Sequence, residues 1–354
     1  MQFAEALGVA LFSDRTLIVK NYRQCDVGHS RLYNLGLMGE KTVPIIEDDG
    51  GMDLVSLCGN TGVYLWYDSI TKDYIDEPPL GKHVEEWRGI SWETMSNPDV
   101  PIDDSSIPKE VKPYAATSKE DVAMLADIEP YRSAFPRSYV LRDLPSFMVD
   151  SYYPYRVKDK LKDVKCVMVQ VLYLNINWAM MPGVLPRVAG AFLPSPVLEA
   201  QVQEWFVANN VKQHEHIGLH IRLKDLATGL SFGFAHDCTR NATFVIEAIE
   251  QLQSSLSIPR DRSLIIASDD FESPCTKSIL STFPNHVRAE SGKLGGCMET
   301  SFVQEVLMRT SGFIGNSLST FTIAVHWGRI YRYGHPLASS KFPENGPAPQ
   351  AGDL

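Results

Sequence analysis

Apolar residues at Phe3, Ala6, Leu7, Ala10 and Leu11 recur at i, i+3, i+4, i+7 and i+8, which predicts an amphipathic helix over 3–12. Ser13-Asp14-Arg15 breaks that pattern, and Thr16-Leu17-Ile18-Val19 predicts a strand. A chain that opens on a helix leading into a strand reads as starting inside a βαβ unit. Residues 20–95 hold scattered aromatics and glycine pairs with no sustained period. From Ser96 to Lys119 the composition shifts to Pro, Asp, Ser and Lys, with Pro98, Pro101, Pro108 and Pro113, which predicts a long surface loop or insertion. Cys166 to Leu172 is an apolar run of strand length, as expected of a strand covered on both faces. Pro182, Pro186, Pro194 and Pro196 then punctuate the chain ahead of a helix at about 196–210.

The second half alternates. A strand at 216–222 is followed by a helix near 241–256, with Val245, Ile249, Leu252 and Leu256 on one face. Next come a strand at Leu264-Ile265-Ile266-Ala267, a helix near 273–282, a short strand near His286 and a helix from about 299 to 311. Phe313-Ile314-Gly315 and a helix over about 319–328 complete the series. Strands and helices alternating at this spacing predict a parallel sheet with helices on both faces, hence an α/β fold. A boundary at the prolines gives an N-terminal domain over 1–195 and a second over 196–335. The Pro-, Gly-, Ala- and Ser-rich tail over 336–354 is expected to be disordered. No internal repeat is visible.

Length agrees with two domains, because 354 residues exceed the size at which one core usually stops growing. A net charge of -10 argues against nucleic acid as a partner, since phosphate backbones demand a basic footprint. Positive contacts to an anionic ligand must therefore be local. No apolar run reaches the ~18 residues of a membrane span, and Met1 to Glu5 carries no basic region of a secretory signal. The six cysteines, Cys25, Cys58, Cys166, Cys238, Cys275 and Cys297, show no C-x-x-C spacing, which argues against a zinc site of that kind. They suit either disulfides or buried thiols. Asn241-Ala242-Thr243 is a glycosylation acceptor if the chain is secreted.

In open parallel sheets ligands sit at the C-terminal ends of strands. Three polar clusters fall at such ends: His220 to Asp225, Ser268-Asp269-Asp270, and Asn316 to Phe321. No G-x-x-x-x-G-K-[ST] or G-x-G-x-x-G loop is present. A guanidinium at a strand end, with a helix start fringed by hydroxyls, can hold a diphosphate instead. Arg222 would clamp two phosphate oxygens and is never deprotonated; otherwise it is a structural partner of Asp225 or Asp269. His220 would hydrogen-bond a ligand or transfer a proton, or else is a neutral ring packed under the sheet edge. Lys224 and Asp225 read best as an exposed pair. Ser317, Ser319 and Thr320 would offer hydroxyls and free N–H groups to phosphate, cap the helix, or do both. Asp269-Asp270 would suit a divalent ion, but the pair is not the D-x-D that metal-dependent glycosyltransferases often use. No required metal or cofactor is expected.

His220-Ile221-Arg222 after an apolar strand, Ile266 to Asp270, and Phe313 to Phe321 resemble, in order and spacing, three motifs of the GDP-fucose-dependent O-fucosyltransferases. The helix at 3–12 with Asp14 to Val19 is similar to that family's opening helix and strand. The resemblance covers about 200–330 well and 20–195 thinly. It implies a GT-B architecture, two Rossmann-like parallel-sheet domains facing a cleft, with GDP-fucose held mostly by the C-terminal domain. It implies an inverting transfer of fucose to a hydroxyl, often Ser or Thr of a folded protein, without metal. Carried over by position, Arg222 contacts the diphosphate with His220 beside it, and Thr320 and Phe321 line the nucleotide site; Ser268, Asp269, Asn316, Ser317 and Ser319 join them as binding candidates. The implied partners are a nucleotide-sugar donor and a protein or glycan acceptor, in the lumen of the secretory pathway.

Two departures stand out. The sequence begins at Met1-Gln2, so the family's Gly- and Asn-rich turn before its first helix is either absent or lost in truncation. Val303 falls where the family tends to have an Asp that contacts the nucleoside, with Gln304 and Glu305 as the nearest substitutes. Asp26, Glu47, Asp48 and Asp49 are all candidates for the acceptor's base, and none stands out. A glycosyltransferase using another sugar nucleotide and a non-catalytic binding protein remain as alternative readings.

Overall fold

The structure is a computed structural model. It describes residues 2–20, 27–48, 51–59, 63–67, 137–141, 158, 162–169, 181, 183–223, 238–315 and 319–341. Contacts gather the chain into two units that are discontinuous in sequence. Leu17–Asp48 joins Leu185–Gln350, and Gln2–Thr16 joins Asp49–Val184. The sequence reading instead uses one boundary, between 195 and 196.

The larger unit is built on a parallel five-stranded sheet. Its strands, numbered in chain order with those described below, are β6 (Ile217–Ile221), β7 (Leu264–Ser268), β8 (His286–Arg288), β9 (Gly312–Ile314) and β10 (Ser340–Lys341), in the spatial order β10-β9-β6-β7-β8. Side chains alternate across the sheet, so each strand feeds two apolar layers. Ile217, Leu219, Ile221, Leu264, Ile266 and Ile314 pack with Val245, Ile249 and Leu252 of α7 (Cys238–Ser255) and Ile279 of α8 (Pro274–Thr282). On the other face Ile265, Ala267 and Phe313 pack with Leu198, Val202 and Phe206 of α6 (Pro196–Ala208) and with Phe302, Val306 and Leu307 of α9 (Gly296–Met308). Val325 of α10 (Thr320–Tyr331) completes that layer. Gly218 of β6 lets α9 approach: a β-carbon there would sit 2.8 Å from Thr310 Oγ1 and 3.1 Å from Leu307 Cδ2.

Local chemistry sets the helix starts. Ser195 accepts from the Leu198 N–H with Pro196 next in line, and Ser273 accepts from the Thr276 N–H ahead of Pro274. The helix predicted over 299–311 runs from Gly296 to Met308 instead. The Thr310 hydroxyl, bonded to the carbonyls of Leu307 and Gly312 at 2.8 Å each, closes the turn into β9.

The tail corrects the expectation of disorder after 336. Leu337–Ser339 forms a turn of 3₁₀ helix, and Ser340 and Lys341 pair in parallel with Phe313 and Ile314. The Gly315 N–H donates to the Lys341 carbonyl at 3.2 Å, and Arg329 Nη2 donates to Ser339 Oγ at 3.1 Å. Composition registers small polar residues there, but it carries no sign of a guanidinium buried beneath them. Residues 342–354 lie outside the described residues, as does the predicted insertion over 96–119.

The same unit holds a two-stranded parallel pair, β1 (Leu17–Lys20) and β2 (Ile45–Asp48), with α2 (His29–Leu32) and α3 (Leu35–Lys41) between them. The other unit begins with α1 (Gln2–Phe12), which matches the predicted helix. It contains α4 (Leu54–Cys58) and the parallel strands β3 (Val63–Tyr67), β4 (Arg137–Leu141) and β5 (Val167–Val169), in the order β4-β3-β5. Cys58 and Cys166 form a disulfide that ties α4 to the start of β5, and Arg15 Nη1 donates to the Val164 carbonyl at 2.9 Å. Cys297 is also disulfide-bonded, and Cys275 is buried. Helix α5 (Val184–Ala191) follows. No described helix is long and apolar enough to cross a membrane.

Candidate functional site

The sheet order places a topological switch between β6 and β9. From β6 the chain moves outward through β7 to β8, then returns to lay β9 against the other side of β6. Connections leaving these two neighbours diverge, which opens a crevice at their C-terminal ends. Two predicted clusters meet there. His220 is the penultimate residue of β6 with Arg222 just past its end, and β9 leads through Gly315 to the start of α10.

The contact between them is specific. The His220 ring stacks on Phe321, with 4.3 Å between centroids and 27° between planes. His220 Nδ1 lies 2.8 Å from Thr322 Oγ1. Burial first, and the neighbouring Arg222 charge second, push the His220 pKa down to about 3, so the ring is neutral at physiological pH. Arg222 is half-buried. Ser319 caps α10, its Oγ accepting from the Thr322 N–H at 3.5 Å. The remaining N–H groups of the first turn carry the positive end of a 12-residue helix.

Ser319 is buried and turned to its cap, whereas Thr320 and Phe321 are half-exposed. Ser268 Oγ accepts from the Asp270 N–H at 3.1 Å, and Asp270 Oδ1 accepts from the Glu272 N–H at 3.1 Å. Asp269 Oδ1 accepts from the Leu223 N–H at 2.8 Å. That bond ties the end of β7 to the residue after Arg222, so Asp269 holds the backbone that carries the guanidinium. Asn316 and Ser317 lie outside the described residues, as do Lys224 and Asp225. Thr322 directly follows the motif but has no role assignable from sequence, because its pairing with His220 spans 102 positions.

Val303, Gln304 and Glu305 are the residues that the sequence reading weighs for contact with a nucleoside. Val303 packs against the apolar core. Glu305 is buried, taking Arg332 Nη1 on Oε1 at 2.6 Å and Arg332 Nη2 on Oε2. Arg309 bridges to Glu305 at 3.5 Å and donates to Glu199 Oε1 at 2.9 Å. The Tyr333 hydroxyl accepts from Arg309 at 3.0 Å and Arg332 at 2.6 Å. Burial, then Glu305, pushes that phenol up to about 12. Burial acts to lower the Arg309 pKa, but Glu199 and its other partners outweigh it and raise the value. Glu305 therefore belongs to a structural ion network and does not replace the missing aspartate.

Among the candidate bases, Glu47 and Asp48 close β2. Glu47 Oε1 accepts from the Ser30 N–H at 3.3 Å and lies 3.8 Å from His29 Nδ1, and Asp48 is buried. Burial lowers the His29 pKa against the pull of Glu47. Asp26 and Asp49 lie outside the described residues. A depression of about 530 Å³ lined by Glu250, Gln253, Ser257 and Arg260 sits in the turn from α7 into β7, at the opposite end of the strands from these clusters.

No protein-family model matches the chain, and no curated protein matches it by sequence. Solved structures do. The crystal structure of POFUT1 in complex with GDP aligns over 97% of this chain and 93% of that one, with a TM-score of 0.58 at 14% identity. POFUT1 in complex with GDP-fucose aligns over 96% and 92%, with a TM-score of 0.55 at 14% identity. The fold class is therefore α/β of the GT-B-like kind. Its solved counterparts are structures of POFUT1, a GDP-fucose protein O-fucosyltransferase. The likeness is one of fold.

Proposed function

We propose that this protein is an inverting glycosyltransferase that moves fucose from GDP-fucose to a hydroxyl acceptor, a Ser or Thr of a protein. The observation that carries the reading is the meeting of His220-Ile221-Arg222 with the start of α10 at the β6/β9 switch. A likeness of fold to a protein solved with GDP and with GDP-fucose supports it.

Breaking the glycosidic bond builds negative charge on the leaving diphosphate. Arg222 is the half-buried guanidinium placed to meet that charge, and stabilisation aimed at developing charge lowers a barrier. The N–H groups at the start of α10 add to the same field, and Phe321 lines the nucleotide. The reaction needs no metal in this reading, because Arg222 neutralises the diphosphate while Asp269 accepts from the Leu223 N–H after β6 and Asp270 from the Glu272 N–H of its own turn. Compartment follows from the thiols: the Cys58–Cys166 bond and the bonded Cys297 favour an oxidising lumen.

Thermal-shift titration with GDP, GDP-fucose and UDP, alongside Arg222→Ala, tests the proposal. A ligand at about 100 times its Kd adds roughly 2.7 kcal/mol of stability. A GDP-selective shift that disappears in the variant is expected; no shift with any nucleotide would discard the enzyme reading in favour of a non-catalytic protein. Val303 packed against the core and Glu305 locked to Arg332 favour a second reading, transfer from another sugar nucleotide. A UDP preference in the same titration decides for it.

A further inference from the structure

We propose that Thr322 is a positioning residue that fixes His220 as the Nε2–H tautomer, a neutral hydrogen-bond donor for an oxygen of the bound nucleotide sugar; this rests on the nucleotide site proposed above. Thr322 is fully buried, with Oγ1 2.8 Å from His220 Nδ1. Among the described residues its other hydrogen bond is from its backbone N–H to Ser319. A hydroxyl has one proton to donate, and among the described residues Nδ1 is the acceptor it meets. A neutral imidazole that accepts at Nδ1 carries its own proton on Nε2.

The ring is held twice, on its edge by Thr322 and on its face by Phe321. Among the described residues Nε2 has no hydrogen-bond partner, which leaves its N–H for a ligand. Burial and the Arg222 charge keep the ring from becoming a second cation. The two residues therefore divide the work: Arg222 brings charge, and His220 brings one directed N–H. A ring protonated at Nε2 is also no base at that atom, so His220 is not the group that takes the acceptor's proton.

Nitrogen-resolved NMR of the histidine rings in the full chain, without ligand at neutral pH, reads the tautomer directly. His220 is expected to be protonated at Nε2 and bare at Nδ1. Thr322→Ser should keep that state, and Thr322→Val, which retains shape but lacks the hydroxyl, should lose it. A wild-type ring protonated at Nδ1 overturns the proposal. In GDP titrations Thr322→Val should weaken binding about five- to tenfold, the worth of one directed hydrogen bond, while Thr322→Ser stays within about twofold. His220→Gln, which sets an amide N–H near the Nε2 position, should retain more affinity than His220→Ala. Unchanged binding in Thr322→Val refutes the proposal. Loss of all nucleotide binding in the wild type would instead defeat the proposed function, and the tautomer would still decide the Thr322–His220 relationship.

Discussion

Thr322 occupies the space that a β-carbon on Gly315 would need: such a carbon would lie 2.4 Å from Thr322 Cγ2 and 2.9 Å from Oγ1. Both residues are buried, and Phe313 Cζ closes the third side at 3.0 Å. The end of β9 and the first turn of α10 are thus in contact through a position that only glycine fits.

Gly315→Ala should consequently push α10 away from β9. We expect a loss of about 1–3 kcal/mol, as for other overpacked sites, together with a weaker response to GDP because Thr322 and Phe321 move with the helix. Melting curves with and without GDP check both. A variant that melts and binds like the wild type would show that the helix start tolerates displacement.

Arg222→Lys keeps the charge but lacks the planar fork that grips two oxygens. Its GDP affinity and transfer rate should fall by about tenfold or more, the scale of one charge-assisted hydrogen bond. Folding should be unaffected, which circular dichroism melts would verify. Wild-type affinity in this variant would mean that the guanidinium does not touch phosphate.

Glu305→Gln removes the carboxylate that faces the buried guanidinium of Arg332 and leaves Arg309 with Glu199 as its acid partner. Removing one partner of a buried ionic network typically costs about 3–5 kcal/mol. Urea denaturation should show a large fall in midpoint. A change below about 1 kcal/mol would place the network among ion pairs of little net worth.

Burial first, and the Arg329 charge second, hold His326 and His335 down to about 4 in the folded protein, against 6.5 for an ordinary histidine. Between these values the unfolded chain binds more protons than the folded one. Stability is then fully present above about pH 6.5 and is lost as the pH falls toward 4. Denaturation midpoints at pH 7.5 and 5.5 should differ, with the lower pH less stable, and His326→Gln should reduce the difference while His335 and His220 maintain the rest. Equal midpoints at the two pH values would contradict the assignment.

Truncation after Pro336 should destabilise the large unit, although the segment removed looks like a tail. It deletes the Ser339 hydroxyl that accepts from Arg329 Nη2 and the Lys341 carbonyl that accepts from Gly315. A truncated chain with an unchanged melting point and GDP response would refute this.

Much of this architecture was legible because it rests on local rules. The apolar runs at Ile217 and Leu264 are buried on both faces, and the Ser-Pro pairs at 195 and 273 start helices where predicted. Strand ends named His220, Arg222 and Phe321 as neighbours. What escaped was non-local. Strand β2 is four residues long and has its meaning only in register with Leu17 to Lys20. Glu305 looks like a plausible nucleoside ligand until Arg332 is found on it, 27 positions away. Val303 packed against the core is the same lesson in reverse, since a position matched in sequence does not say which way its helix faces.

Among the described residues, the large sheet is bounded by three residues of β8 on one side and two of β10 on the other. Edges this short present few open N–H and C=O groups, so another chain has almost nothing to zip onto. Crowded solutions should accordingly leave this unit dispersed. On the reading proposed above, a protein acceptor is then held by its side-chain relief and not as an extended peptide added to this sheet.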